Sequence, residues 1–198
     1  RLKPSSFWRL ETGNNFGMEG FVHMETAVDQ LKKGLTAAFI DKGVYSGESY
    51  RPQLILNNHK LGQKVLTSLE TELNNCDEFF ISVAFITMSG IIPLLQTLQE
   101  LEADGVKGKI ITTDYLSFSE PAALEKLNSF RNIELKFYCA GDRGFHTKGY
   151  IFRRGEEYRI IVGSANLTSN ALTRNEEWNT KLVSMEQGEY TEGIIRRF

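Results

Sequence analysis

The sequence predicts an α/β fold: a mixed β-sheet flanked by helices, parallel in its first half and extended by antiparallel strands in its second. Three observations carry this expectation. Apolar residues recur at helical spacing in several segments before residue 130, and short, nearly all-apolar runs alternate with them. After Cys139 the alternation stops, and three strand-like runs follow with only loops between them. A helix between two strands acts as a crossover and favours parallel pairing, whereas short turns join strands that pair antiparallel.

Residues 1–20 show no sustained period and read as a leader or an added segment. Residues 21–57 read as an N-terminal helix and loop. The helix is expected over Glu25 to Phe39, where Val28, Leu31, Leu35, Ala38 and Phe39 recur at three- and four-residue steps. The loop, 41–57, contains Gly43, Gly47 and Pro52. Tyr45, Tyr50 and Arg51 there are read as packing or solvated residues before ligand contacts.

Residues 58–186 read as the main domain. Leu61, Val65, Leu66, Leu69 and Leu73 predict a helix, and Phe79 to Phe85 predict a strand covered on both faces. A helix through Ile92, Leu95, Leu98 and Leu101 leads to a strand at Lys109–Thr113. A further helix over Glu120–Phe130 precedes a strand at Glu134–Tyr138. The antiparallel additions are expected at roughly His146–Arg153, Tyr158–Gly163 and Trp178–Ser184. Residues 187–198 read as a helix or the start of a connection into a longer protein.

Composition narrows the classes of function. With a formal charge of −2 and a pI near 6.0, the chain has no overall basic footprint, so a nucleic-acid surface must be local. No run approaches the length of a membrane span, and no signal segment is evident, so no membrane partner is expected and the localisation is read as cytoplasmic. Cys76 and Cys139 suit neither a disulfide framework nor a zinc spacing and read as reduced thiols. No histidine and carboxylate cluster has metal-ligand spacing; no metal and no cofactor is expected.

The residues that could carry chemistry cluster in the second half. His146 and Lys148 lie two apart in a strand-like segment and so share a face. Imidazole can attack phosphorus or move protons near neutral pH, and the lysine adds a fixed positive charge for a phosphate. Gly163-Ser164-x-Asn166 brings a hydroxyl and an amide to the neighbouring strand end. Asn175-Glu176-Glu177-Trp178 places carboxylates where the next strand begins, and one bonded to the ring would fix its tautomer. Strand register leaves Glu176 and Glu177 as rivals. Arg143, Arg153, Arg154, Arg159 and Arg174 could form a local basic rim, or be ordinary charges on exposed faces.

His146-x-Lys148, then Gly163-Ser164-x-Asn166, then Glu177 resembles the signature of the phospholipase D superfamily in its single-copy nuclease form, over about residues 60–185. More narrowly, Tyr50-Arg51-Pro52-Gln53-Leu54, Phe80 to Thr87 and Gly163 to Thr168 are similar to the phospholipase D-like N-terminal domain of bacterial superfamily 2 helicases of the DEAD/DEAH type. The chain has no Gly-x-x-x-x-Gly-Lys-[Ser/Thr] loop, so the motor of such a helicase would lie in a C-terminal helicase domain beyond this piece.

The resemblance implies metal-independent phosphodiester hydrolysis of DNA, single- or double-stranded, through a phosphohistidine. His146 would be nucleophile or general acid and Lys148 a phosphate ligand; Asn166 would hold a nonbridging oxygen with Ser164 assisting, and Glu177 would orient His146. Arg153 and Arg174 are the remaining candidates for substrate contact. Since two histidines are needed and His23 and His59 read as solvated or capping, the resemblance implies a homodimer pairing two His146 sites. One departure stands out: the family places an aspartate five residues after the lysine, and here that residue is Arg153. Some nuclease members related to restriction enzymes lack it too. The competing reading is a catalytically silent nucleic-acid-binding or dimerisation domain of a helicase; a lipid hydrolase would need the membrane access that the chain does not advertise.

Overall fold

The structure, a computed structural model, describes residues 25–114, 118–139 and 144–198. Helix α1 (Ala27–Phe39) begins at Thr26, whose hydroxyl accepts from the Asp29 N–H while the Asp29 carboxylate accepts from the Thr26 N–H. The expected loop that follows holds a 3₁₀ turn (Glu48–Tyr50) and strand β1 (Gln53–Ile55), which pairs antiparallel with β7 (Asn179–Met185). Three residues with one exposed and one buried side chain are too short to register as a period, which is why composition alone reads as loop.

Helix α2 spans Val65–Leu73, later than expected, because Leu61 lies in a tight turn. There the Asn58 side chain accepts from the Lys60 and Leu61 N–H groups, and Gln63 bridges back to Asn58. Strand β2 (Glu78–Val83) leads to α3 (Met88–Ile91), a 3₁₀ turn (Ile92–Leu94) and α4 (Leu95–Ala103). The single expected helix is broken at Pro93, which has no N–H for the preceding turn. Strand β3 (Lys107–Thr113), α5 (Pro121–Asn128) and β4 (Ile133–Tyr138) complete the alternating half.

The second half holds β5 (Lys148–Arg154), β6 (Glu157–Gly163), a short helix α6 (Ser169–Thr173), β7 and α7 (Glu189–Ile195). Helix α6 corrects the expectation of loops alone; the Thr168 hydroxyl caps it by accepting from the Ala171 N–H.

The strands form one sheet in the order β1-β7-β6-β5-β2-β3-β4. The pairs β2–β3 and β3–β4 are parallel, and all others are antiparallel, which is the mixed sheet that the alternation predicts. On one face Phe79, Ile81, Tyr150, Phe152 and Ile161 pack against Leu69, Leu73, Ile91, Leu98 and Leu127 of the helices. On the other, Phe80, Ile151, Tyr158 and Ile160 are covered by Ile194, Ile195 and Phe198 at the chain's C-terminal end. The alternation of Phe79, Phe80 and Ile81 between these faces is the period of two at work.

Strand direction then decides what meets at each edge. Val83 pairs with Lys148, Gly149 with Val162, Gly163 with Asn179, and Thr113 with Tyr138. The last residues of β2, β3, β4 and β6 and the first of β5 and β7 therefore share one edge of the sheet. The β5–β6 turn at Gly155 lies at the opposite edge, where its φ of +60° needs a residue without a Cβ.

Candidate active site at one sheet edge

His146 immediately precedes β5 and Lys148 is its first residue. The Lys148 ammonium lies 2.8 Å from His146 Nδ1 and donates to the His146 carbonyl at 3.2 Å, so the two chemistries meet even though His146 itself stands outside the strand. Lys148 is only 8% exposed, whereas His146 faces solvent. Burial lowers the Lys148 pKa from its ordinary value, and the nearby Glu177 charge opposes that fall. His146 also meets the ring of Phe85, which follows β2, edge-on at 6.3 Å.

Across β6, the loop from Gly163 to Asn166 is held from all sides. Ser164 donates its hydroxyl hydrogen to Glu177 and accepts at Oγ from the Trp178 N–H at 3.1 Å. Glu177 is 8% exposed and also accepts from the Asn175 side chain at 3.4 Å, while Glu176 points to solvent. Of the two rival carboxylates, only Glu177 therefore joins the cluster. Its hydrogen bonds are to Ser164 and Asn175, and the ring of His146 is met by Lys148 instead. Asn166 accepts at Oδ1 from the Phe85 N–H at 3.2 Å, an arrangement that orients its amide NH2 as the group available to donate.

Other residues expected near this cluster lie elsewhere. Arg153 sits five residues along β5 from Lys148, roughly 16 Å at the rise of an extended strand. It faces Glu78 across the β2–β5 pair and donates to that carboxylate at 3.2 Å. Arg154 shares that far edge, and Arg159 is engaged by Glu157 at 3.1 Å, Glu72 at 3.9 Å and the Ser49 carbonyl at 3.1 Å. These three arginines do not rim the cluster; the strands carry them away from it. Arg174 is exposed just after α6, three residues before Glu177. Arg143 and His23 lie outside the described residues. His59 is exposed in the tight turn after β1, and β1 is three strands from β5, roughly 14 Å at normal sheet spacing.

Four residues that sequence reading passed over hold the cluster in shape. The Tyr150 hydroxyl donates to the Ala165 carbonyl at 3.0 Å; burial, with the Glu177 charge second, holds this phenol well above its ordinary pKa. Asn179 accepts from the Ala165 N–H at 3.2 Å and donates to the Ile55 carbonyl at 3.3 Å. Asn57 donates to the Ala171 and Asn175 carbonyls at 2.9 and 2.8 Å and accepts from the Val65 N–H at 3.0 Å, tying α6 and α2 to the end of β1. Phe85 supplies the backbone donor to Asn166. Tyr150 had a signal in the sequence, since it continues the period-two face of His146 and Lys148; the two asparagines had none. Gly163 is required by contact: a Cβ there would lie 2.3 Å from the Trp178 carbonyl oxygen.

A buried cation beside an exposed imidazole, with a hydroxyl, an amide and a buried carboxylate on adjacent strand ends, can bind a phosphate oxygen and present a ring nitrogen to phosphorus. Among the described residues, no group of three or more histidine, cysteine, aspartate and glutamate side chains is arranged to hold a metal ion.

The family described as cardiolipin synthase, PLD-like domain matches residues 69–197. No curated protein matches the chain by sequence. Among solved structures it is similar to NucT from Helicobacter pylori, with a TM-score of 0.55 at 18% identity over 74% of this chain and 90% of that one. It is also similar to Nuc from Salmonella typhimurium, a phospholipase D family member, with a TM-score of 0.56 at 17% identity over 74% and 91%. The phosphatidylserine synthase of Haemophilus influenzae gives 0.54 at 14% identity, over 73% of this chain and 37% of that one. At these identities the likeness is one of fold.

Proposed function

This chain belongs to the cardiolipin synthase, PLD-like domain family, and from that premise we propose that it is a metal-independent phosphodiesterase acting on DNA through a phosphohistidine. The observation that carries the reading is the 2.8 Å approach of Lys148 to His146 Nδ1, beside Ser164, Asn166 and the buried Glu177 at one sheet edge. The fold shared with Nuc, a phospholipase D family member, agrees with it.

In the first step, Nε2 of His146 attacks phosphorus. The N–P bond forms, the P–O ester bond breaks, and the leaving oxygen takes a proton from a second histidine. In the second, that histidine takes a proton from water, the water oxygen attacks phosphorus, and the N–P bond breaks to release the phosphate. Lys148 and Asn166 hold the nonbridging oxygens and Ser164 assists. In the resting arrangement a charged Lys148 donates to Nδ1, so the neutral ring carries its proton on Nε2. Attack requires Lys148 to leave Nδ1 for a phosphate oxygen, the ring proton to sit on Nδ1, and Glu177, bonded at rest to Ser164 and Asn175, to turn toward the ring and accept from it.

The separation of His59 from His146 supports a second histidine from another copy of the chain, in a two-fold dimer that pairs two His146 sites. The similarity of Tyr50 to Leu54 and Gly163 to Thr168 to helicase N-terminal domains supports a helicase motor following this module, in defence or repair. A second reading, a silent nucleic-acid-binding or dimerisation module, is favoured by one observation: Lys148, and not a carboxylate, occupies Nδ1.

Incubation with labelled DNA and with bis(p-nitrophenyl) phosphate in EDTA, beside His146→Ala, separates the two. Cleavage that survives the chelator and is lost in the variant is the expected result. Absence of cleavage by the unsubstituted chain, with DNA binding that weakens in Lys148→Ala, would leave the silent module.

A further inference from the structure

The edge that carries the proposed site also carries exposed aromatic rings on both sides of it. In sheet order from β7 to β4, this edge presents Trp178, Ser164, His146 with Lys148, Phe85 with Phe118, and Tyr138. Trp178 is 70% exposed, although its backbone is bonded at both N–H and C=O to Ser164. Phe118 is 57% exposed and meets Phe85 edge-on at 5.0 Å, and Phe85 in turn meets the His146 ring. Tyr138 is 40% exposed and stacks on Phe145, the residue before His146, at 5.1 Å with 30° between the rings. At normal strand spacing, the strand of Trp178 lies roughly 10 Å from β5 on one side and that of Tyr138 roughly 14 Å on the other.

Charge is arranged in the opposite sense. Arg153 and Arg159 are held in ion pairs away from this edge, with Arg154 beside them at the far edge. In sequence, the cations within three residues of the cluster, Arg143, Lys148 and Arg174, are matched in number by Asp142, Glu176 and Glu177. Duplex binding draws most of its affinity from many phosphate contacts. Single strands are held in addition by aromatic faces on which unstacked bases lie, a contribution that paired and stacked duplex bases do not offer.

Building on the phosphodiesterase reading, we propose that Trp178, Phe118 and Tyr138 form a base-stacking platform that runs through the His146 site and selects single-stranded nucleic acid over duplex. The bases on either side of the scissile phosphate lie on these rings, and Lys148 anchors the phosphate between them.

The test uses the full 198-residue chain. Binding of labelled oligothymidylate is compared with that of a hairpin duplex of equal length, by fluorescence anisotropy in the His146→Ala background, which leaves the probe uncleaved. Single-strand binding at least about tenfold tighter than hairpin binding is expected. Trp178→Ala and Phe118→Ala should each weaken it by about 5- to 100-fold, the range for losing one stacked base, while Trp178→Phe stays close to the parent. Unchanged thermal unfolding in the variants excludes misfolding as the cause. With Trp8→Phe leaving Trp178 as the one tryptophan, its emission should be quenched by the oligonucleotide.

Equal affinity for the hairpin, indifference of single-strand binding to the ring substitutions, or preference for anionic lipid vesicles over either nucleic acid would overturn the platform. Hydrolysis of bis(p-nitrophenyl) phosphate by the unsubstituted chain reports on the phosphodiesterase reading separately. If it persists while the platform fails, the catalytic proposal stands alone.

Discussion

The Nζ of Lys148 lies 2.8 Å from Nδ1 of His146 and 3.2 Å from its carbonyl oxygen, and a charged lysine, which can only donate, makes Nδ1 the acceptor. In the proposed reaction this arrangement makes Lys148 a gate on the imidazole as well as a phosphate ligand. Nitrogen-15 NMR of the histidine ring should find the neutral form protonated on Nε2. In Lys148→Met that preference should relax toward the Nδ1–H form, and phosphodiesterase activity should fall by two orders of magnitude or more, on the order of the loss for one preorganised charge contact. An unchanged tautomer in the variant would show that the contact does not govern the ring.

The buried charges under the N-terminal segment are a separate stabilising device. Glu72 accepts from Lys181 at 2.9 Å and faces Arg159, which also holds Glu157, while Tyr50 donates to Glu157. Glu72→Leu leaves Lys181 without its carboxylate and Arg159 with Glu157 alone, and should cost about 3 to 5 kcal/mol in urea unfolding. Adding Lys181→Met should recover part of that loss. Full additivity of the two changes would argue that the residues do not interact.

Arg153 stands where the family pattern has an aspartate, and it is the direct cross-strand partner of Glu78. Arg153→Asp places two carboxylates face to face at a partly exposed site and should lower stability by about 1 kcal/mol. With roughly 16 Å between this position and Lys148, the same change should leave hydrolysis of a small phosphodiester within about twofold, since a direct contribution to the barrier would alter it by more. A charge-swapped pair, Glu78→Arg with Arg153→Asp, should restore the urea midpoint; a gain of activity in either variant would instead tie position 153 to catalysis.

Cys76 and Cys139 should behave as opposites. Burial pushes the Cys76 thiol from 9.0 up to about 12, and Cys139 is exposed. At pH 8 a disulfide reagent should titrate one thiol in the native chain and two after denaturation, with Cys139→Ser removing the fast one. Since folded Cys76 keeps its proton between 9 and about 12 while the unfolded thiol loses it, the folded state binds more protons there and stability falls as pH rises. Tyr50, pushed up to about 12 mainly by burial, acts in the same direction. Cys76→Ala should flatten part of that decline in the unfolding midpoint.

Much of the architecture was legible because it rests on local periodicity. The run from Phe79 to Phe85 announced a doubly covered strand, and Phe79 and Phe80 do feed opposite cores. What periodicity missed were short elements whose existence depends on a partner. β1 is a strand because β7 lies beside it, and α6 is a helix because Thr168 caps it and Asn57 holds its end. Pro93 could have signalled the break between α3 and α4, which a search for apolar repeats passes over.

By itself, the sequence determined the strand and helix alternation, the mixed sheet, and the neighbourhood of His146 and Lys148, since residues two apart at a strand end need no distant contact to meet. Only the tertiary structure decided which carboxylate is buried, which group meets the histidine ring, and where the arginines go. Glu177 and not Glu176 joins Ser164, and Arg153 and Arg159 leave the site for Glu78, Glu157 and Glu72. The physical reason is register: cross-strand pairing sets, to the residue, which face and which edge each charge occupies, and no local pattern in a charged segment encodes that choice.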